Sequence, residues 1–186
     1  MKTNTKTNLL TLIECAMMVA LSFVLSLIKL WEMPFGGSIT FLSMLPVCVA
    51  SLRHGAKWGL GTAFVYSITQ AAVSGAAGWG LSPTVLIVCY LLDYILAFTV
   101  LGLCGTARGK GLKSKTFSVA TVCVMRFICH YLSGVTIWKG SGLEHGIANS
   151  YIFSLLYNGG YMLPETVFTV AGAYFIIKAL ESRKLL

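Results

Sequence analysis

The sequence predicts an all-α membrane protein built as a compact bundle of six transmembrane helices. Three observations carry this expectation. Of 186 residues, 56% are hydrophobic and only 11% are charged. The mean hydropathy is +0.80. The apolar residues also gather into runs approaching the roughly 20 residues that cross a bilayer.

Helix 1 is expected over Leu9 to Leu30. Its apolar stretch exceeds the core of a secretory signal and no small-residue cleavage site follows, so it stays as a span. Helix 2, Ile39 to Leu52, is the shortest, and helix 3 runs from Trp58 to Ser74. Helix 4 covers Pro83 to Cys104, helix 5 Phe117 to Trp138, and helix 6 Tyr151 to Ile177. No linker or fixed-period repeat interrupts them, so residues 1–186 read as a single six-helix membrane domain.

Lys and Arg are retained on the cytoplasmic side of short loops. Lys2 and Lys6 precede helix 1, Arg53 and Lys57 join helices 2 and 3, and Arg108, Lys110, Lys113 and Lys115 join helices 4 and 5. Lys178, Arg183 and Lys184 follow helix 6, whereas the opposite side carries only Lys29 and Lys139. Both termini are therefore expected in the cytoplasm. The formal charge of +8 expresses this bias together with attraction to an anionic lipid bilayer, and no nucleic-acid partner is indicated.

Other chemistries lack their residues. Cys15, Cys48, Cys89, Cys104, Cys123 and Cys129 show no paired C-x-x-C spacing, which argues against a zinc site or a disulfide framework. Gly109-Lys110 lacks the upstream glycine and the following hydroxyl of a phosphate loop, so this chain is not itself an ATPase. No nucleophile arrangement marks an enzyme, and no cofactor or metal is expected.

Asp93 interrupts the run Leu86 to Phe98, and an ionisable group inside a membrane helix is a functional-site hypothesis by default. Asp93 is ten positions from Pro83, His130 eight from Trp138 and Asn158 seven from Tyr151. At 1.5 Å per residue, all three lie about 10 to 15 Å below the outer surface. A pocket open to the outside follows if their faces point inward.

Tyr94, Trp138, Tyr151, Tyr157, Tyr66 and Trp79 surround this level in sequence. An anion among aromatic faces suits a flat, cationic, hydrogen-bonding ligand. For Trp79, Trp138 and Tyr151 the alternative is an interfacial belt. Arg126 and Glu165 fall at comparable depth and read as a structural ion pair flooring the pocket, because a buried charge needs a partner. Ala16 and Ala20, four apart on helix 1, form a small-residue face that lets another helix approach closely.

Taken together, several segments resemble one known family. They are Ala16 to Ala20, Met33 to Thr40 with Ser43 to Pro46, Ser51 to Gly55, Leu92 to Phe98 with Leu101 to Leu103, Arg126 to Gly134 with Trp138, and Tyr157 to Gly159 with Leu163 to Glu165. Their order and spacing resemble the thiamine-specific substrate-binding (S) components of energy-coupling factor (ECF) vitamin transporters, multi-pass proteins of the bacterial plasma membrane.

The resemblance implies an S component that binds thiamine from outside and joins a transmembrane coupling subunit and two ATPase subunits. It would be the binding subunit of an ATP-driven importer. Asp93 would be the acidic ligand for the cationic vitamin, followed by Tyr94. His130, Trp138 and Asn158 match pocket positions for stacking and hydrogen bonding, Tyr66 falls on an aromatic one, and Ala16 and Ala20 would dock on the coupling subunit. Phe153, Gly37 and Phe41 depart from residues some relatives offer, with Tyr151 a candidate substitute for the hydroxyl lost at Phe153. A thiamine precursor or analogue, another vitamin, or a stand-alone proton-coupled carrier are the alternatives.

Overall fold

The computed structural model describes residues 2–33, 36–140, 142 and 146–186, with side chains from residue 6 onward. Pro34 and Phe35 of the segment Met33 to Thr40 lie outside the described residues.

Among the described residues, six helical rods carry the fold. They are α1 (Lys2–Ser26), α2 (Leu45–His54), α3 (Ala56–Val73), α4 (Pro83–Ala107), α5 (Leu112–Thr136) and α6 (Ser150–Ser182). Four of them, α1, α4, α5 and α6, are long and apolar enough to cross a membrane. At ten residues α2 spans only about 15 Å. Lys57 and Gln70 dilute the apolar character of α3.

The largest departure from the expected spans lies between α1 and α2. α1 stops at Ser26, four residues short of the expected end. Lys29–Glu32 (β1) then pairs antiparallel with Ser38–Thr40 (β2). The strands occupy what the hydropathy assigned to the end of helix 1 and the start of helix 2. Leu42 adopts a left-handed φ of 56°, which breaks the chain before Pro46 opens α2. Proline suits a first helical turn, where its missing N–H costs nothing.

Caps fix the other starts. Ser82 accepts the N–H of Val85 ahead of Pro83, and Asn149 Oδ1 accepts the N–H groups of Tyr151 and Ile152 at 3.0 and 3.2 Å. Both match the preference for short polar acceptors where a helix leaves donors unpaired. α4 is irregular: Tyr90–Leu96 widens into a π-helical segment and Val100–Ala107 tightens into a 3-10 turn.

The core sits on α2, whose residues Leu45 through Leu52 are all buried. Around it α3 and α4 meet backbone to backbone. A Cβ on Gly102 would lie 2.5 Å from the Gly59 carbonyl carbon, so only glycine permits this crossing. Ser51 of α2 ties it, donating to the Gly102 carbonyl at 2.5 Å and accepting the Gly105 N–H at 3.0 Å. Small residues in contact are what membrane bundles use where lipid offers no hydrophobic drive between helices.

Candidate ligand-binding site

Away from that crossing the helices separate around a cavity of about 260 Å³, lined by the end of α1, the β1–β2 hairpin, α3, α4, α5 and α6. This is slightly below the roughly 300–1,000 Å³ usual for small-molecule sites. One small ligand fills it.

Asp93 is at the centre of the π segment Tyr90–Leu96. Such widened turns are rare and recur at functional sites. Here the segment carries the carboxylate to α5, whose residues at positions 130 and 133 share one helical face. His130 Nδ1 lies 3.0 Å from Asp93 Oδ1 and Ser133 Oγ donates to Oδ2 at 2.5 Å. Trp138 Nε1–H and the Cys89 thiol donate to the same oxygen at 3.4 and 3.6 Å. The carboxylate is thus held by groups from two helices and the loop after α5.

The aromatic wall forms around it. Trp79, just past the short turn Ala76–Gly78, meets Trp138 edge-on with ring centroids 5.7 Å apart. Tyr94 lines the cavity beside Asp93, and Phe153 lines the far side, stacked on Tyr157 at 5.7 Å. The hairpin lines another side: the Gly37 N–H donates to the Tyr157 hydroxyl at 3.1 Å. A Cβ on Gly37 would sit 2.9 Å from that hydroxyl and from the Tyr161 ring, so the departure seen at Gly37 is what lets the backbone lie this close.

Arg126 and Glu165 form the floor. Arg126 Nη1 reaches Glu165 Oε2 at 2.7 Å, and the guanidinium lies 4.4 Å from the centre of the Phe98 ring. Thr40 of β2 donates to the other Glu165 oxygen at 2.5 Å. The pair expected from equal depth therefore also anchors the hairpin.

Not every residue singled out in the sequence reaches the cavity. Asp93, Tyr94, His130, Trp138, Asn158 and Trp79 line it. Asn158, however, gives its amide N–H groups to the His130 carbonyl and to Ser154, and its carbonyl accepts the Tyr161 hydroxyl at 3.0 Å. It bridges α5 and α6. Tyr66 is fully buried behind the wall, its ring edge-on to Phe98 at 5.4 Å. Tyr151 is 63% exposed in the first turn of α6 and does not line the cavity, which on that helix begins at Phe153. It does not replace the hydroxyl lost at Phe153.

The sequence reading missed Ser133, Ser154, Tyr161 and Gln70, all within or behind the cavity wall. Ser133 could have been found by its spacing of three from His130. Two nitrogens of lining residues, His130 Nε2 and Arg126 Nε, are buried without a hydrogen-bond partner. The site can therefore neutralise a cation at Asp93 and stack flat rings.

Residues 12–185 match the family model described as thiamine transporter protein (Thia_YuaJ). The chain belongs to this thiamine transporter family. Within the family it is 31% identical to the thiamine transporter ThiT of Bacillus subtilis over 178 residues, covering 88% of each chain. It is 28% identical to ThiT of Lacticaseibacillus paracasei over 140 residues, 68% of this chain and 67% of that one. The solved structure of ThiT from Listeria monocytogenes superposes with a TM-score of 0.69 at 26% identity, covering 96% of this chain and 98% of that one. Family membership and four spanning helices make this a multi-pass protein of the bacterial plasma membrane, a transport protein rather than an enzyme.

Proposed function

We propose that this chain is the thiamine-binding S component of an ECF-type importer. The observation that carries the reading is the Asp93 carboxylate, ringed by His130, Ser133 and Trp138 inside an aromatic cavity at membrane depth. Thiamine couples a cationic thiazolium to an aminopyrimidine. Asp93 supplies the counter-charge, and Trp79, Trp138 and Tyr94 supply the ring faces. A buried anion among π faces recognises a flat cation by ion pairing and cation–π attraction, both strengthened where water is excluded.

The chain has no nucleotide-binding loop, so the energy for uptake comes from ATPase partners joined through a transmembrane coupling subunit. Ala16 and Ala20 are both exposed on α1 and form the docking face for that subunit. The Lys and Arg distribution puts both termini in the cytoplasm and the hairpin outside, and uptake requires the loaded protein to reorient against its partner.

The test is a calorimetric titration of the purified chain with thiamine, repeated for Asp93→Asn. Tight 1:1 binding that the substitution weakens by orders of magnitude is the expected result. Binding unchanged in Asp93→Asn would overturn the counter-charge assignment. A wild-type chain that prefers the isolated aminopyrimidine half of the vitamin would move the ligand to a precursor.

A further inference from the structure

α1 packs on α2 and α3 through a mostly small and polar stripe: Cys15, Ser22 and Ser26 are buried, Val19 rests on the core, and Ser26 accepts from Gln70 of α3 at 3.0 Å. Such a stripe permits close approach but provides little grip, since lipid competes equally well for apolar side chains. A second contact holds the N-terminal half of the helix, far from Ser26. Glu14 Oε1 lies 3.0 Å from Arg53 Nε and Oε2 lies 3.1 Å from His54 Nε2, both at the end of α2. The same corner is closed from behind, because Arg108 after α4 donates to the His54 carbonyl at 3.2 Å.

All three side chains of the cluster are at least partly shielded, with 27%, 34% and 14% of Glu14, Arg53 and His54 exposed. The position of Glu14 matters as much as its charge. Ala16 follows two residues later, about 200° around the helix. With Glu14 held inward, Ala16 and Ala20 must face outward, as both do.

We propose that Glu14 is a positioning residue for partner docking: its ion pair with Arg53, with His54 packed beside it, sets the rotation of α1 and so presents the Ala16–Ala20 face. The inference rests on the reading of that face as the docking surface. Nothing in the cluster touches the cavity, which separates its effect from ligand binding.

The experiment compares Glu14→Gln, Glu14→Asp, the exchange Glu14→Arg with Arg53→Glu, and Ala16→Trp. Each is read for thiamine affinity of the purified chain and for co-purification with the coupling and ATPase subunits. Glu14→Gln should keep thiamine affinity within about twofold while recovery of the complex falls tenfold or more. Glu14→Asp and the charge exchange should restore most of it. A complex recovered normally from Glu14→Gln but lost in Ala16→Trp would overturn this inference and leave the docking face standing. A complex that survives Ala16→Trp would remove the docking face and the inference with it. Loss of thiamine binding in Glu14→Gln would make the residue a determinant of folding and overturn the positioning role.

Discussion

Around Ser51 the helices touch through bare backbone, whereas around Asp93 they stand apart and fill the gap with polar and aromatic side chains. In the first region Gly59 and Gly102 leave no room for a single carbon, and Cys48, Cys104 and Cys123 are packed without solvent exposure. In the second, a carboxylate, an imidazole and a guanidinium share one cavity wall. The contrast separates two tasks. Close packing holds the bundle and forgives no added volume, while the cavity tolerates polar groups only because nearly all of them bind one another.

The Arg126–Glu165 pair is the seam between these regions. It satisfies two charges that would otherwise be stranded in hydrocarbon and, through Thr40, ties the hairpin to the floor. Substitutions on either side of the seam should therefore register in different measurements.

The largest effect is expected at Asp93. Removing one member of a buried, hydrogen-bonded charge pair costs about 2–5 kcal/mol, so Asp93→Asn should weaken thiamine binding roughly 30-fold or more. Calorimetry reads the loss, while the thermal midpoint in detergent should stay near that of the parent. A shared loss of affinity and stability would erase the distinction between the regions. Gly102→Val tests the other side: overpacking costs about 1–3 kcal/mol, so the thermal midpoint should fall with thiamine affinity retained in the folded fraction.

Ser133→Ala sharpens the cavity side. A hydrogen bond to a charged group contributes about 1.5–3 kcal/mol, part of which His130 and Trp138 can make up. An affinity loss of about tenfold is expected, well below that of Asp93→Asn, and an equal loss would mean that the hydroxyl contacts ligand directly. The smallest effect is expected at Tyr151, which faces away from the bundle. Exposed substitutions stay within about 0.5 kcal/mol, so Tyr151→Phe should leave affinity and stability unchanged by the same two measurements.

Much of this was readable from residue order. Six rods, the level shared by Asp93 and His130, and the Arg126–Glu165 pairing all follow from segment length, depth counting and the cost of an unpaired buried charge. The hairpin did not, because Leu27 and Ile28 carry the apolar run of helix 1 up to Lys29, and the four residues of β1 are too few for a period-two pattern to show against a helical one. The π segment left no signal at all, since widening a turn is settled by what packs against it. Asn158 illustrates a subtler failure: depth and face were enough to bring it to the cavity, but not to show that Ser154, His130 and Tyr161 engage its amide. Tyr151 shows the converse: seven residues from Asn158, it counts onto the same face, yet it stays exposed while Phe153 reaches the cavity.

The brevity of α2 has a consequence for how such a site arises. Its ten residues cover about half of a 30 Å hydrocarbon layer, and residues 38–44 continue the path as non-helical backbone. Irregular chain at that depth is tolerated only where protein encloses it or water reaches it. That stretch and the two glycines before it border the ligand chamber, with Gly36, Gly37, Ser38 and Thr40 in its wall. The short helix thus leaves bare backbone, at Gly37 above all, where a completed one would have set side chains against Tyr157 and Tyr161.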